Sequence, residues 1–411
     1  MAGRRMLTNF RLFWTGQLVS QLGDAVYHIG LLWLALEKTQ SKTLSSLVVS
    51  AGYLPAIIFS LFAGAVVDRV DRRRLMMVCA AAQAAVVALV PLFDGAGWLG
   101  PGTLALIAFG LAAGGAFFNP ARDALIPHLV DRNRLNRANS FVQVSAQIAY
   151  LAGPAAAGVL VGLVGLTGLF SLDALTFLFV VAALWLINLP RANKPRLQAG
   201  PAPLPQLPPP AASTLEDIRA GLSHAWHDAR LRGLLFVTAI DNLIIMGPAI
   251  FGTPVYVREV LGLGPSYYAW LTTFLFAGMI ASSLLLGYFG KRLPRGRTII
   301  CGMVLDAVTF LPLFWLRAFW PAALAMFVHG LTVPLITVPR ATLIHHIVPD
   351  EKRGRIFALV NLAVVGFTAL SMLLVGPVTE VVGVAAVFAG VAAVGGAFGL
   401  LAFSFTSLRR A

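Results

Sequence analysis

Charge is scarce in this chain. Only 12% of its 411 residues are charged, 58% are hydrophobic, and the mean hydropathy is +0.82. A water-soluble core cannot take up that much apolar side chain, which excludes an ordinary soluble fold. Cysteine is nearly absent: Cys79 and Cys301 fall inside apolar stretches, so no disulfide framework is expected. No His/Cys spacing suits a metal ion, and no G-x-x-x-x-G-K-[ST] loop offers a site for ATP, so neither metal nor cofactor is expected. A nucleophile with an adjacent base is also missing, which argues against an enzyme. The first apolar stretch is too long for a cleavable signal peptide and lacks a small-residue cleavage site.

What the chain has is apolar sequence in long runs. About 20 helical residues cross the hydrocarbon layer of a bilayer. Twelve runs of that order lie near 10–36, 44–68, 75–94, 102–121, 139–162, 168–189, 233–257, 266–290, 298–316, 320–339, 356–379 and 382–405. The expected fold class is an all-α membrane protein with twelve transmembrane helices. With a few residues of latitude at the ends, all 31 Lys and Arg sit outside these runs. All but Lys38, Lys42, Arg258 and Arg317 fall in alternate connections, on the side that positively charged loops keep in the cytoplasm. Both termini are therefore expected there. The formal charge of +14 is spread over loops that face anionic lipid headgroups, and nucleic acid is not an expected partner.

Proline divides the chain. The stretch PAPLPQLPPP, Pro201 to Pro210, cannot be regular helix. We expect an N-terminal six-helix bundle over 1–190, a cytoplasmic Pro-rich linker over 191–232, and a C-terminal six-helix bundle over 233–411. Within the linker, 213–230 reads as an amphipathic surface helix with Leu215, Ile218, Leu222, Trp226 and Ala229 on one face and Ser213 with Glu216 as a capping box. An internal repeat supports the division: RDALIPHLVDRNRLNR (122–137) matches RATLIHHIVPDEKRGR (340–355) at one constant offset, aligning Arg122 with Arg340 and His128 with His346. A weaker repeat joins GAVVDRVDRRR (64–74) with GYFGKRLPRGR (287–297).

Gly64, Asp68, Arg69, Arg72, Arg73 and Arg74 resemble the loop signature of the major facilitator superfamily. The runs QLGDAVYHIGLLWLALEKTQ, NPARDALIPHLV and RLNRANSFVQVSAQIAYLAGPAAAG resemble its twelve-helix drug and proton antiporters, nearest the branch of macrolide and enterobactin exporters. The resemblance implies two pseudo-symmetric bundles, residence in a bacterial inner membrane, and transport by alternating access. It also implies a latch over Gly64, Asp68, Arg69, Arg72 and Arg73 that helps close the cytoplasmic side; Gly64 would allow close helix approach and Asp68 would accept from a neighbouring helix N-terminus or arginine. Two departures matter. Ala149 and Ala157 stand where glycine is usual, and LIAFGLAAGGAFF in the fourth helix holds no arginine where many drug antiporters have one, so their proton relay does not carry over.

Ionisable groups inside the runs are the remaining signal, because each is costly at bilayer depth unless it faces a cavity or a partner. Gln17, Gln21, Asp24 and His28 share one face of the first helix, a stripe of roughly 16 Å. Asp24 is a candidate for binding proton or substrate, with packing by hydrogen bond as the alternative; His28 could share its proton. Asp241, with Asn242 and Thr238, is the candidate in the seventh helix, whose Gly247, Pro248, Gly252 and Pro254 suggest a bent or broken outer end. Gln143, Gln147 and Tyr150, then Asn361 and Thr368, then His329, are candidate lining residues for a substrate. Gly153 and Pro154 are expected to kink the fifth helix and pack it against the eighth. Asp173 and Asp306, on helices expected at the outside of the bundle, are assigned structural roles. The expected function is proton-coupled export of an amphipathic drug-like or siderophore-like molecule by a monomer among membrane lipids, with lipid or lysophospholipid translocation as the alternative. With no cation deep in the runs, neutral or cationic substrates fit better than compact anions.

Overall fold

The computed structural model of the chain describes residues 2–187, 222–223, 225–290 and 293–409. Among these residues the regular structure is helical throughout, with no strand. In chain order the helices are α1 (Ala2–Thr39), α2 (Lys42–Ala51), α3 (Leu54–Arg69), α4 (Arg72–Gly95), α5 (Pro101–Leu129), α6 (Leu135–Leu186), α7 (Ala229–Gly247), α8 (Thr253–Glu259), α9 (Pro265–Phe289), α10 (Arg295–Val308), α11 (Phe319–Ile347), α12 (Asp350–Val382) and α13 (Val384–Ala402). Ten helices among the described residues are long and apolar enough to cross a membrane. The polar stripe of α1 keeps it out of that number. The 52-residue α6 is two helices in series, broken at Gly165, whose φ of 75° and ψ of 175° no helix contains. Most of the expected linker and of its amphipathic helix, including Ser213 and Glu216, lies outside the described residues.

Local sequence explains the helix ends. Asp71 caps α4 by accepting from the Arg74 amide at 2.8 Å, and Ser41 caps α2 by accepting from the Leu44 amide at 3.3 Å. Asp228 caps α7 and takes a side-chain hydrogen bond from Arg230, which holds its carboxyl below the ordinary value. Between α7 and α8 the segment Pro248–Gly252 is a π-helical turn, the irregularity that its glycines and prolines foretold. α5 and α11 each run eight residues past their expected ends, so Arg122 and Arg340 lie inside helices and not in loops.

Packing follows small residues. A Cβ on Gly278 of α9 would meet the Phe327 carbonyl of α11, and one on Gly330 of α11 would meet the Leu275 carbonyl of α9, so the two backbones touch. One buried cluster draws only on residues 13–187 and another only on residues 225–408. A third joins them, with Trp33 and Leu36 of α1 and Val49 of α2 against Phe251, Tyr256 and Val375.

Polar contacts between residues 2–187 and 225–409 gather at that same end, opposite the termini. Lys42 pairs with Glu259 at 3.0 Å. Arg258 donates to the Leu36 carbonyl at 2.6 Å and to Gln40 Oε1 at 3.0 Å. Glu380 Oε2 accepts from the Ser41 hydroxyl at 3.1 Å and from the Thr43 amide at 3.0 Å, and Gly376 lies against Ser46. The molecule is thus sealed at the end where the sequence is poorest in cations.

Candidate functional site

The α1 stripe lies on the side that α6 leaves uncovered. Trp14 donates its indole N–H to Ser145 Oγ at 2.6 Å, Ala25 packs on Gly153, and Gly16, Gly23 and Gly30 face Ala183, Thr176 and Phe170, all of α6. On the free face His28 is exposed and Asp24 half-buried, although Val26, Tyr27 and Ile29 beside them are buried. Gln17 is buried, and Gln21 keeps Oε1 buried without a hydrogen-bond partner. A carboxylate and an imidazole this open in the middle of an apolar helix are costly against lipid and call for water or a polar partner. Arg122 of α5 and Asp173 of α6 are within electrostatic reach of Asp24.

From α6, Gln143 and Gln147 are exposed, and the half-exposed Tyr150 ring stacks on Phe276 of α9, with centroids 5.4 Å apart and planes at 22°. Gly153 does not pack where expected. A side chain there would meet Ala25 of α1, while Gly158, one turn on, is the position against Ala269 and Trp270 of α9. The non-helical backbone of α6 is at Gly165, and none is recorded at Pro154.

In the second set of helices Thr238, Asp241 and Asn242 are all buried. Asn242 is committed to structure: its amide donates to the Thr238 carbonyl at 2.8 Å and its Oδ1 accepts from Thr368 of α12 at 3.3 Å. The Gly247 amide adds a bond to Ser371 Oγ at 2.7 Å, fixing α7 against α12. Asp241 differs, because its Oδ1 is buried without a partner. Asn361 is exposed, two turns from Thr368 and nearer the termini.

His329 is not at a cavity wall. It is 3% exposed, with Nδ1 3.4 Å from Asp306 Oδ1 and 2.9 Å from Thr309 Oγ1, and its ring rests 4.4 Å from that of Phe310. Thr332 completes this knot by donating to Asp306 Oδ1 at 2.5 Å. Asp173 and Asp306 are both fully buried and turned inward, each within electrostatic reach of the carboxylate of its own set, Asp24 or Asp241. At Asp173 the approach is close: Gly23 lets α6 come near until Asp173 and Thr176 lie where a side chain of α1 would be.

The larger omission concerns arginine. Arg340, inside α11, is within electrostatic reach of Asp241, as Arg122 is of Asp24. The repeat that aligns Arg122 with Arg340 carried this signal, because Asp24 and Asp241 are separated by nearly the same interval. Two guanidiniums thus act on the two carboxylates from whose surroundings the sequence excluded cations.

The loop signature is divided. Gly64 has open space where a Cβ would stand, and Asp68 and Arg69 are exposed, so the expected close approach at Gly64 is absent in this conformation. Arg73 donates to the Leu184 and Trp185 carbonyls at 2.6 and 2.8 Å, closing the C-terminal end of α6. Arg72 donates to His128 Nε2 at 2.6 Å, and Arg295 donates to His346 Nε2 at 3.0 Å, so the repeat is preserved as two equivalent bonds.

The profile of the family described as transmembrane secretion effector matches residues 5–411. The multidrug efflux pump Tap of Mycobacterium tuberculosis is 27% identical over 404 residues, covering 95% of this chain and 92% of the pump. Macrolide efflux protein A of Streptococcus pyogenes is 24% identical over 367 residues, covering 85% of this chain and 84% of that protein. Among solved structures, a bacterial homologue of the iron transporter ferroportin in an inward-facing state superposes with a TM-score of 0.71 at 15% identity, covering 98% of this chain and 99% of that one. An inward-facing, unoccupied bacterial homologue of the lysosomal transporter Spinster gives 0.66 at 15% identity, covering 99% of this chain and 97% of that one. With its helical architecture, its paired repeats and a family profile that spans nearly its whole length, the chain belongs to the transmembrane secretion effector family of major facilitator transporters.

Proposed function

We propose that the protein exports amphipathic drug-like molecules across the bacterial cytoplasmic membrane in exchange for protons. The observation that carries this reading is Asp24, a half-buried carboxylate in the middle of α1 beside the exposed His28. The named activities of Tap and macrolide efflux protein A support the substrate class. On this reading the chain spans the membrane twelve times with both termini in the cytoplasm, and two six-helix bundles rock about the cavity. The seam of Lys42, Arg258 and Glu380 closes the outer side, so the conformation is inward-facing, in keeping with the disengaged Gly64 and Asp68.

In that state deprotonated Asp24 receives substrate from the cytoplasm or inner leaflet. Proton binding from the outside, after the bundles rock, cancels the charge that held the substrate and releases it. Asp241 is the second titrating group, and Gln143, Gln147, Tyr150 and Asn361 line the route. The latch of Asp68, Arg69 and Arg72 forms only when the cytoplasmic side closes. Efflux of a radiolabelled macrolide in inverted membrane vesicles, with and without an imposed pH gradient, tests the proposal. Wild type should respond to the gradient and Asp24→Asn should not. Gradient-independent transport by wild type, or full coupling in the variant, would contradict it.

A further inference from the structure

A groove of about 930 Å³ runs along the joint between α7 and α12, in the half of each helix nearer its start. Phe236 of α7 and Leu362, Phe367 and Leu370 of α12 line it, and the Phe405 ring closes one side, edge-on to Phe236 with centroids 5.7 Å apart. Phe236, Leu362 and Leu370 are 48%, 41% and 41% exposed, so no part of the described chain covers them. Gly366, on the α12 wall, has open space where a Cβ would stand. Along α12 the groove extends from Leu359 to Leu370, roughly 16 Å at the helical rise. One leaflet supplies about 15 Å of a bilayer's hydrocarbon layer, so the groove is one leaflet deep.

Apolar exposure is ordinary on a membrane helix; a concave apolar wall topped by a fixed cation is not. Of the lining residues only Trp226, Arg232 and Ser407 carry a polar side-chain group, and all three lie at the end where α7 begins, Ser407 donating to the Ala229 carbonyl at 3.2 Å. Arg232 Nη1 donates to the Trp226 carbonyl at 2.7 Å, and its guanidinium lies 5.9 Å from the centre of the exposed indole. That bond uses one of five N–H donors, and among the described residues no carboxylate pairs with Arg232. The nearby Asp228 is already held by Arg230 at 2.9 Å.

These features select the occupant. A guanidinium with donors to spare suits a phosphate ester, and the leaflet-deep wall below it suits an acyl chain. A zwitterionic headgroup would bring an ammonium to a place whose one nearby carboxylate is taken. The segment 188–221 of the chain itself is a poorer match, with no aromatic residue and with Arg191, Lys194, Arg196 and Arg219 against only Glu216 and Asp217. None of Asp24, Gln143, Gln147, Tyr150 and Asn361, proposed above for substrate, lines the groove. We propose that the α7–α12 groove binds an anionic phospholipid, its phosphate on Arg232 and one acyl chain along Phe236, Leu362 and Leu370. The topology proposed above makes this the cytoplasmic leaflet; the site itself is independent of proton coupling.

Photocrosslinking in the native membrane identifies the occupant. With p-benzoylphenylalanine in place of Leu362, the irradiated full-length protein should gain the mass of a phospholipid. No adduct, crosslinks to residues 188–221 of the same chain, or a lipid adduct that a macrolide displaces would each overturn the assignment. The headgroup is read from the melting temperature of the purified protein in detergent with added phosphatidylglycerol or phosphatidylcholine of the same chains. Wild type should be stabilised more by phosphatidylglycerol. Arg232→Gln should need about tenfold more of that lipid for half its effect, whereas Arg134→Gln, in the first set of helices, should behave as wild type. Gly366→Leu, which grows into open space, should melt as wild type does without lipid and lose the response to both lipids. Equal effects of the two lipids on wild type, or an undiminished preference in Arg232→Gln, would sink the anionic headgroup, and an undiminished response in Gly366→Leu would sink the groove.

Discussion

Asp24 has an open side and Asp241 has none. The first stands half-buried beside exposed His28; the second is buried with an unpartnered oxygen and a guanidinium in reach. In the conformation described, Asp24 is therefore the more accessible carboxylate, the one proposed to meet substrate, and Asp241 belongs to the protein interior. Arg122 should tune Asp24 through charge, without touching substrate. Arg122→Gln is expected to weaken drug export and shift its pH profile, whereas Arg122→Lys should retain most of it; an unchanged profile in Arg122→Gln would remove the arginine from the pathway. Gly23 is the tight small residue beside Asp24. A side chain there collides with Asp173 and Thr176, so Gly23→Val should cost about 1 to 3 kcal/mol in thermal stability. A melting curve that does not move would show that α1 and α6 can part more easily than their contact suggests.

Helices carry the second level. The seam that closes one end uses two of the four cations that the sequence leaves on its sparse side: Lys42 pairs with Glu259 and Arg258 holds the last turn of α1, while Lys38 pairs with Asp94 within the first set. Partly exposed pairs of this kind contribute only about 0.2 to 1 kcal/mol each, so closure is shared among several. Breaking one with Lys42→Glu should shift the balance toward the other conformation by no more than about fivefold. The double change Lys42→Glu with Glu259→Lys should restore it. Labelling of His28→Cys from outside, in a background lacking Cys79 and Cys301, measures that shift; equal labelling in the single and double variants would remove the pair from the gate. The α9–α11 crossing is less forgiving, because Gly278 and Gly330 put backbone on backbone. Gly330→Val should lower yield and melting temperature more than any change of the seam.

Element ends also mark the limit of what the sequence reveals. Most helices were legible from apolar runs and the π-helical irregularity after α7 from its glycines and prolines, since both signals are local. The last turns of α5 and α11 were not, because their arginines and histidines read as loop once charge is taken as the boundary. Asp24 and Asp241 stood out as isolated carboxylates in apolar sequence. The inward placement of Asp173 and Asp306 and the burial of His329 depend on which neighbour comes close, and no single helix states that.

At the scale of the whole molecule, two sets of helices carry matched features: Arg72 with His128 and Arg295 with His346, and Arg122 near Asp24 and Arg340 near Asp241. The carboxylate partners are not matched, since Asp173 comes from α6 and Asp306 from α10. The central claim is that drug and proton move in opposite directions in one cycle. Its most direct measurement is internal pH, recorded with a trapped indicator in vesicles reconstituted with the wild-type protein while a macrolide gradient is applied. Macrolide flux should drive protons the opposite way, at a rate that Asp24→Asn abolishes; macrolide movement with no change in internal pH would contradict the claim.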